Sequence, residues 1–540
     1  MVDTVALSDL KAIISQLKAG ETVTPVDVDK LDAAVDTLAV VTNELEQKRA
    51  SIARLRKMLF GDTTEKLSNV FPQSPNEQES TKDAPSSENE SEKDKKSSND
   101  KDGEEKKKTK GHGRTPAKNY TGAQKQTHKH ESLVHKGPCP EDGCDGKLYL
   151  QNEPKRLIRV TGVAPVSAMV HELERLRCNL CGKIFTAKAP EEVGDETYDN
   201  KARAMIALLK YGCGMPFYRL ERLEKDLGVP MPTSTQWDEV HKLAMAIAPA
   251  YTELIRQAAN GKVLHNDDTT AKILKLEPSK KVGKNGKERT GIYTSGILST
   301  GNGHEIALFF TGQNHAGENL ERVLAHRSEE LLAPIQMCDG IAANTTGNFE
   351  SVLANCNAHA RRKYVEVADN YPTETKHILD IYKEVYKHDK ATKGMSDDER
   401  LAYHVSHSKT LLDDLKMWFN EQIEVEKNIE PNSGLGAAIA YMQERWDQLT
   451  LFLKVPGAPL DNNACERIIK KAILHRKNAL FFKTENGALV ADMFMSHIHT
   501  CELEGVNPFV YLVALAENQD AVNESPENWL PWNYQLNLNN

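Results

Sequence analysis

The sequence predicts a multidomain α/β protein: a mixed α/β core with a helical insertion, preceded by a long helix, a charged linker, a cysteine-bearing module and a helical segment. Three observations lead there. At 540 residues the chain exceeds one ordinary domain of about 100–200 residues. Its hydrophobic periodicity switches repeatedly between heptad, absent, strand-like and helical. From residue 261 onward, short apolar runs ending in acidic residues alternate with helical patterns.

Composition narrows the class. Hydrophobic residues make up 39% and charged residues 27%, as in a chain with buried cores. The net charge of -9, from 69 basic and 78 acidic residues, excludes a uniformly basic nucleic-acid coat and permits local basic patches. The amino terminus has no basic leader followed by an apolar run, so no secretion signal is expected. No stretch approaches the roughly 18 apolar residues of a membrane span, so the expected location is cytoplasmic, with no membrane partner. Nine cysteines, an odd number, do not read as a disulfide framework.

The first region is residues 1–67. Leu31, Leu38, Leu45, Ile52 and Leu59 recur every seven residues within a helix over 26–67. Ala34, Val41, Lys48 and Leu55 fill the companion seam, and Gly61 can end the helix. The repeat predicts a coiled coil and a homo-oligomer; the alternative is one amphipathic helix packed on its own protein. Residues 68–118 are Ser, Glu, Asp and Lys with almost no apolar residue, and are expected to be a disordered charged linker.

Residues 119–190 carry Cys139 and Cys144, then Cys178 and Cys181, around strand-like sequence. Two pairs of closely spaced thiolates can meet in a tetrahedral site, so a structural Zn²⁺ in a ribbon-like module is expected, with His135 a bystander. Residues 191–260 have helical spacing broken by Gly-Met-Pro and Gly-Val-Pro, with Ser or Thr caps in PTSTQWDEV. This suits a DNA-binding helix-turn-helix and equally an ordinary helical pair.

The core begins at 261. GKVLHNDD reads as a strand ending in two acids, and TGIYTSGILST and GHEIALFFTG flank Gly301-Asn302-Gly303, a hairpin signal. A helix (AGENLERVLAHR), a strand ending in an acid (APIQMCDG) and a helix over FESVLANCNAHARRKYVEVADNYP complete the first part, 261–370. Residues 371–454 read as a helical insertion, 455–500 as the last core helix region, and 501–540 as a C-terminal segment.

Three acids stand out. Asp267 and Asp339 end strands, and Glu466 lies in the first turns of a helix. Carboxylates so placed can hold two hard cations about 3.5–4 Å apart for phosphodiester chemistry. The ordinary alternative is capping and dipole complementation. Asp267 and Asp268 are neighbours on a strand and should face opposite ways. Arg361, Arg362, Lys363, Arg467, Lys470, Lys471, Arg476 and Lys477 lie on helices beside these acids. They are candidate phosphate contacts or, equally, a solvated face with ion pairs. Asn462 and Asn463 are expected to cap the helix of Glu466, His359 to be a packed residue, and Cys338, Cys356 and Cys465 to be buried.

The chain resembles bacterial DDE transposases of the insertion sequence sixty-six family. The resemblance is carried by LRKMLFGDTTEKL, the four-cysteine module, KYGCGMPFYRLERLEKDLGV, VLHNDDTT, MCDG with CNAHARRKY, PLDNNACERIIKKAILHRKNALFFKTENGA, HTCELEGVNPFVYL and ENWLPWNY. It implies an RNase H-like core in which Asp267, Asp339 and Glu466 bind two Mg²⁺ (or Mn²⁺) ions. It also implies a bacterial, nucleoid-associated enzyme that binds the terminal inverted repeats of its element in double-stranded DNA, cleaves them and transfers strands. Partner proteins encoded alongside are implied as well. Three features depart from the family pattern. Asp268 stands where Glu is usual, GIAANTTGN lacks the expected aromatic, and Asn357 replaces an aromatic before Ala-His. They keep open the alternative of an inactive or repurposed DNA-binding protein.

Overall fold

A computed structural model describes residues 132–150, 164–177, 184–276 and 289–538, apart from positions 143, 195, 348, 426 and 427, with a few positions before 132. The linker over 68–118, nearly all of the heptad helix over 26–67, and Cys178 and Cys181 lie outside the described residues. The chain divides into two compact units: Gln78–Pro165, and Met1–Glu77 with Val166–Asn540.

In the smaller unit, Cys139 and Cys144 share a tight knuckle. The Cys139 N–H donates to the Gly146 carbonyl at 2.8 Å and the Cys144 N–H to that of Glu141 at 3.1 Å. Pro138 pairs with Lys147 in an antiparallel bridge, and both thiols are free of disulfides.

The larger unit opens with a short antiparallel pair, β1 (Arg175–Arg177) and β2 (Ile184–Thr186). The expected helical segment follows as α1 (Asn200–Ala207), α2 (Phe217–Asp226) and α3 (Thr233–Ala259). The Asp199 carboxylate caps α1 by accepting from the Ala202 N–H at 2.7 Å. The Ser/Thr cap expected for α3 is absent: Pro232 occupies that position and Thr233 already belongs to the helix. Proline fits because its missing N–H and fixed φ suit a helix entrance. Val240, Leu243, Ala244, Ile247, Ala250, Leu254 and Ala258 give α3 a buried stripe at helical spacing.

The core sheet follows. β3 (Val263–Thr270), β4 (Ile273–Lys275), β5 (Tyr293–Thr300) and β6 (Ile306–Gly312) precede α4 (Ala316–Leu324), β7 (Ile335–Cys338) and β8 (Val352–Asn355). Five strands form one sheet in the order β6-β5-β3-β7-β8. The first three are an antiparallel meander; β7 and β8 join parallel to β3. The β5–β6 hairpin turns at Gly301 and Gly303, with φ of +86° and +85°, as the Gly-Asn-Gly signal predicts. Two expectations need correction. The strand of Asp267 does not end at the acids but continues to Thr270, paired with β5 throughout. Residues 352–355 are not helical: a four-residue strand, buried at Ala354 and Asn355, precedes α5 (Asn357–Val367). A short apolar run carries no periodicity to separate the two.

The insertion comprises α6 (Pro372–Ala391), α7 (Asp397–His407), α8 (Lys409–Asn420), α9 (Gly434–Glu444) and α10 (Trp446–Leu449). It shares one hydrophobic core with β7, β8 and α5 through Met337, Ala354, Tyr364, Tyr382, Phe419 and Ile439. The chain then returns over the sheet as α11 (Asn463–Ala479), makes β9 (Phe482–Thr484) parallel to β4, and continues as α12 (Glu485–Leu503). The C-terminal helices α13 (Pro508–Glu517), α14 (Gln519–Glu524) and α15 (Tyr534–Leu538) supply Tyr511, Leu512, Val522 and Tyr534 to a core shared with α1, α3 and α12.

Helix α12 also protects the sheet edge. Asp492, Ser496 and Thr500 accept the N–H groups of Thr311, Phe309 and Ala307 at 2.6, 3.0 and 3.1 Å. Four helical residues rise about 6 Å and two strand residues about 6.8 Å, so the repeats match. An edge that would otherwise offer unpaired donors is closed from within the chain.

Candidate functional site

The register of the sheet positions the first two acids. Val263 pairs with Ile335 and His265 with Met337 in the parallel β3–β7 ladder. Continued two residues past its last pair, and one past the end of β7, that register would set Asp267 level with Asp339 on the same face. On its other side Asp267 faces Gly296 of β5. A Cβ on Gly296 would stand 2.7 Å from Ile469 Cδ1 and 2.9 Å from its Cγ1. The bare glycine therefore lets α11 descend onto the sheet, with Ile468, Ile469 and Cys465 buried beneath it. The Cys465 thiol donates to the Gly296 carbonyl at 3.4 Å. Glu466, three residues before Ile469, is thereby carried towards Asp267.

Burial pushes the Asp267 carboxyl up to about 7, and the charges of Asp339 and Glu466 add to the rise; the Asp268 N–H, donating to it at 2.8 Å, opposes it. Asp339 Oδ1 accepts from the Ile341 N–H at 3.0 Å and the Asn344 amide at 2.9 Å. The hydroxyl of Tyr441, from the helical insertion, donates to the Asp339 carbonyl at 3.0 Å. Asp268 has other partners. Ser295 Oγ donates to it at 2.6 Å and the Ala316 N–H at 2.9 Å, with His315 Nδ1 at 3.1 Å.

Sequence reasoning read Cys356 and His359 as packed residues, and the structure sets them beside Glu466. Cys356, His359 and Glu466 offer ligand atoms within 4.8 Å of one another. His359 Nδ1 stands 3.8 Å from Glu466 Oε1, and both atoms are buried without a hydrogen bond. Cys356 is a poor third ligand, because burial pushes its thiol up to about 12 and it already accepts the Asn462 N–H at 3.2 Å. Burial raises the Asp461 carboxyl, with the charges of Asp389 and Glu466 adding to it. The C-x-x-H spacing at the start of α5 was the available signal for His359.

Asn462 does not cap α11 with its side chain as expected. Fully buried, it donates to the Asn266 carbonyl at 3.1 Å and meets His265 Nδ1 at 3.0 Å through its oxygen. Burial lowers the His265 pKa to about 4, so the ring is neutral and donates that bond. Asn462 thus ties the start of α11 to β3. Asn357, the departure from the family pattern, donates to the Leu449 and Leu460 carbonyls at 2.8 and 3.0 Å. An aromatic ring there would leave both without that donor.

The eight basic candidates divide. Lys471 pairs with Glu502 at 3.1 Å, Lys363 sits 4.3 Å above the Tyr441 ring, and Arg476 bonds Thr269 and Thr270 of β3. Arg361 and Arg362 are half-buried and engaged, while Arg467, Lys470 and Lys477 are exposed on α11. Cys139 and Cys144 lie in the other compact unit, and Cys178 and Cys181 outside the described residues.

A mixed five-stranded sheet with partly buried carboxylates near its central strands defines an α/β protein. The sequence pattern of the Transposase IS66 family matches residues 196–489, which contain the whole site. The chain belongs to that family, so its function relates to transposition. It is 27% identical to the uncharacterized protein y4hP of Sinorhizobium fredii over 67% of each chain. With the uncharacterized protein y4jD of the same organism it shares 24% identity, over 73% of this chain and 77% of the relative. Identity to the uncharacterized protein y4qI is 25% over 62% of each. No solved structure matches the chain. Among the described residues no helix is long and apolar enough to cross a membrane.

Proposed function

We propose that this protein is a DDE transposase that cleaves the ends of its element and transfers strands. Asp267, Asp339 and Glu466 would bind two Mg²⁺ (or Mn²⁺) ions in an RNase H-like core. What supports the reading is the β3–β7 register, which extended two residues beyond its last pair would set Asp267 level with Asp339, together with the close approach of α11 at Gly296 and the charges of Asp339 and Glu466 felt by Asp267.

The donor set fits a hard cation. Its groups are carboxylate oxygens, Glu466 Oε1 is buried with no hydrogen-bond partner, and Asp267 is held above the usual carboxylate range by burial and like charge. Divalent cations bound there supply Lewis acidity at the attacking and leaving oxygens of a phosphodiester. The chain does the rest. Asn344 and the Ile341 N–H fix the rotamer of Asp339. His359 Nδ1 stands 3.8 Å from Glu466 Oε1, beyond hydrogen-bond reach. Arg467, Lys470 and Lys477 are exposed to meet phosphates, which gives affinity rather than sequence reading.

Cys139, Cys144, Cys178 and Cys181 would hold a structural Zn²⁺, and the heptads over 26–67 would join protomers into a homo-oligomer. Residues 119–260 would read the terminal repeats, and proteins encoded alongside would assist. Zinc content measured by mass spectrometry should fall to zero in Cys139→Ser, and light scattering should report smaller particles without residues 26–60.

The test is cleavage and joining of labelled DNA that carries the flanking repeats, with Mg²⁺ or Mn²⁺, for wild type and Glu466→Gln. Products that need the metal and vanish in the variant support the reading. Equal products from both would overturn it.

A further inference from the structure

Where α11 gives way to β9, the chain makes an unusual turn. Leu480 has φ +67° and ψ -43°, and the Phe481 N–H closes onto the Ala479 carbonyl at 2.8 Å. This is a γ-turn of the positive-φ kind, rare and strained for a residue with a Cβ. The strain is not repaid by packing. The Leu480 side chain is 66% exposed and that of Phe481 45% exposed. Large apolar groups normally gain by burial, so a strained turn that presents two of them to solvent calls for an external partner.

Charge identifies the partner's chemistry. Arg476 and Lys477 precede the turn, Lys483 follows it, and Lys272 lies on the adjoining strand segment, with Glu485 the acid next in sequence. The Phe482 N–H donates to the Lys272 carbonyl at 2.8 Å, which holds the two segments side by side. Arg476 is bonded to Thr269 and Thr270, two and three residues past Asp267. The five residues from Asp267 to Lys272, beside the turn, span at most about 17 Å, and the fourteen helical residues from Glu466 to Leu480 about 21 Å. At about 3.4 Å per nucleotide step, the turn stands roughly five to six base pairs from the acids.

We propose that Leu480 and Phe481 form an apolar wedge that enters the base stack of duplex DNA a few base pairs from the bond to be cut. Lys272, Arg476, Lys477 and Lys483 would hold the flanking phosphates. The proposal rests on the reading of this protein as a DNA-end-cleaving enzyme. Inserted apolar side chains unstack a base step and kink the duplex, and a phenyl ring stacks on any base. The turn holds both side chains clear of the end of a rigid helix. A second copy of the chain would instead have to bring apolar surface together with several carboxylates.

The test uses the full chain and a duplex carrying the terminal repeat of its own element, with 2-aminopurine placed at successive positions from the end. Wild type should raise fluorescence at one or two adjacent positions. Leu480→Gly should abolish that rise and weaken binding about ten- to a hundredfold, the range that burying one leucine side chain supplies. Its thermal stability should be unchanged or higher, because glycine accepts the turn without strain. Phe481→Ala should weaken binding similarly. Salt-sensitive binding with a flat signal at every position would overturn the wedge and leave the DNA reading standing. Unchanged affinity in Leu480→Gly with a lower mass in light scattering would assign the turn to self-association. No binding even at low salt would remove the DNA reading itself, and the wedge with it.

Discussion

Replacing Gly296 by Ala tests how the third acid reaches the other two. The new Cβ would sit 2.7 Å from Ile469 Cδ1 and 2.9 Å from Cγ1. Ordinary carbon contacts lie near 3.5–4.0 Å, so something must move by about 1 Å. Ile469 is 4% exposed and β-branched on a helix, which leaves it few other rotamers, so α11 itself must lift. Overpacking of this kind costs about 1–3 kcal/mol. Glu466 is three residues away on the same helix, and a displacement of about 1 Å at a reacting centre costs on the order of a hundredfold in rate. Ile469→Ala alone should cost roughly 2–5 kcal/mol as a cavity. In the double variant the two changes share one space, so its loss should fall short of the sum by about 1–2 kcal/mol. Urea denaturation of the four proteins gives the cycle, and strand cleavage gives the rate. Additive losses, or full cleavage by Gly296→Ala, would refute the argument that a missing Cβ sets the height of α11.

Asp267→Asn, Asp339→Asn and Glu466→Gln should each abolish strand transfer while retaining DNA binding, which gel shift and product analysis separate; full activity in all three would sink the mechanism. Asn462→Ala should destabilise the protein by about 2–4 kcal/mol in denaturant titration, because the His265 N–H and the Asn266 carbonyl lose their buried partner. Burial raises the Asp492 carboxyl to about 7, against hydrogen bonds from Thr311. Its stabilising contribution is therefore complete below about pH 4 and lost as pH rises through about 7, by at most about 4 kcal/mol. Asp492→Asn should flatten that part of the stability profile, and an unchanged slope would show that the group does not titrate there. Replacing Lys470 or Lys477 by Ala should reduce the salt slope of DNA affinity by about 0.9 for each phosphate no longer neutralised, and an unaltered slope would make them a solvated face.

The sequence by itself determined the elements whose signals are local. Gly301-Asn302-Gly303 permits little but a hairpin turn, helical periodicity located α1 to α3 and the insertion, and apolar runs ending in acids put Asp267 and Asp339 within or just beyond strands. Motif order supplied the family. Tertiary structure decided what depends on residues far apart in the chain. Val352–Asn355 becomes a strand because a parallel partner, Ile335–Cys338, stands beside it, not because four apolar-rich residues prefer extension. Ile273–Lys275 pairs with Phe482–Thr484 some two hundred residues away, and no local pattern announces that pairing. Asn462 occupies a cap position and caps nothing, because two buried groups on β3 compete for its amide. The height of α11, and with it the reach of Glu466, rests on a glycine about 170 residues earlier in the sequence. Local preference is written into neighbouring residues; the raised carboxyl of Asp267 arises only when packing excludes water and brings the charges of Asp339 and Glu466 near it.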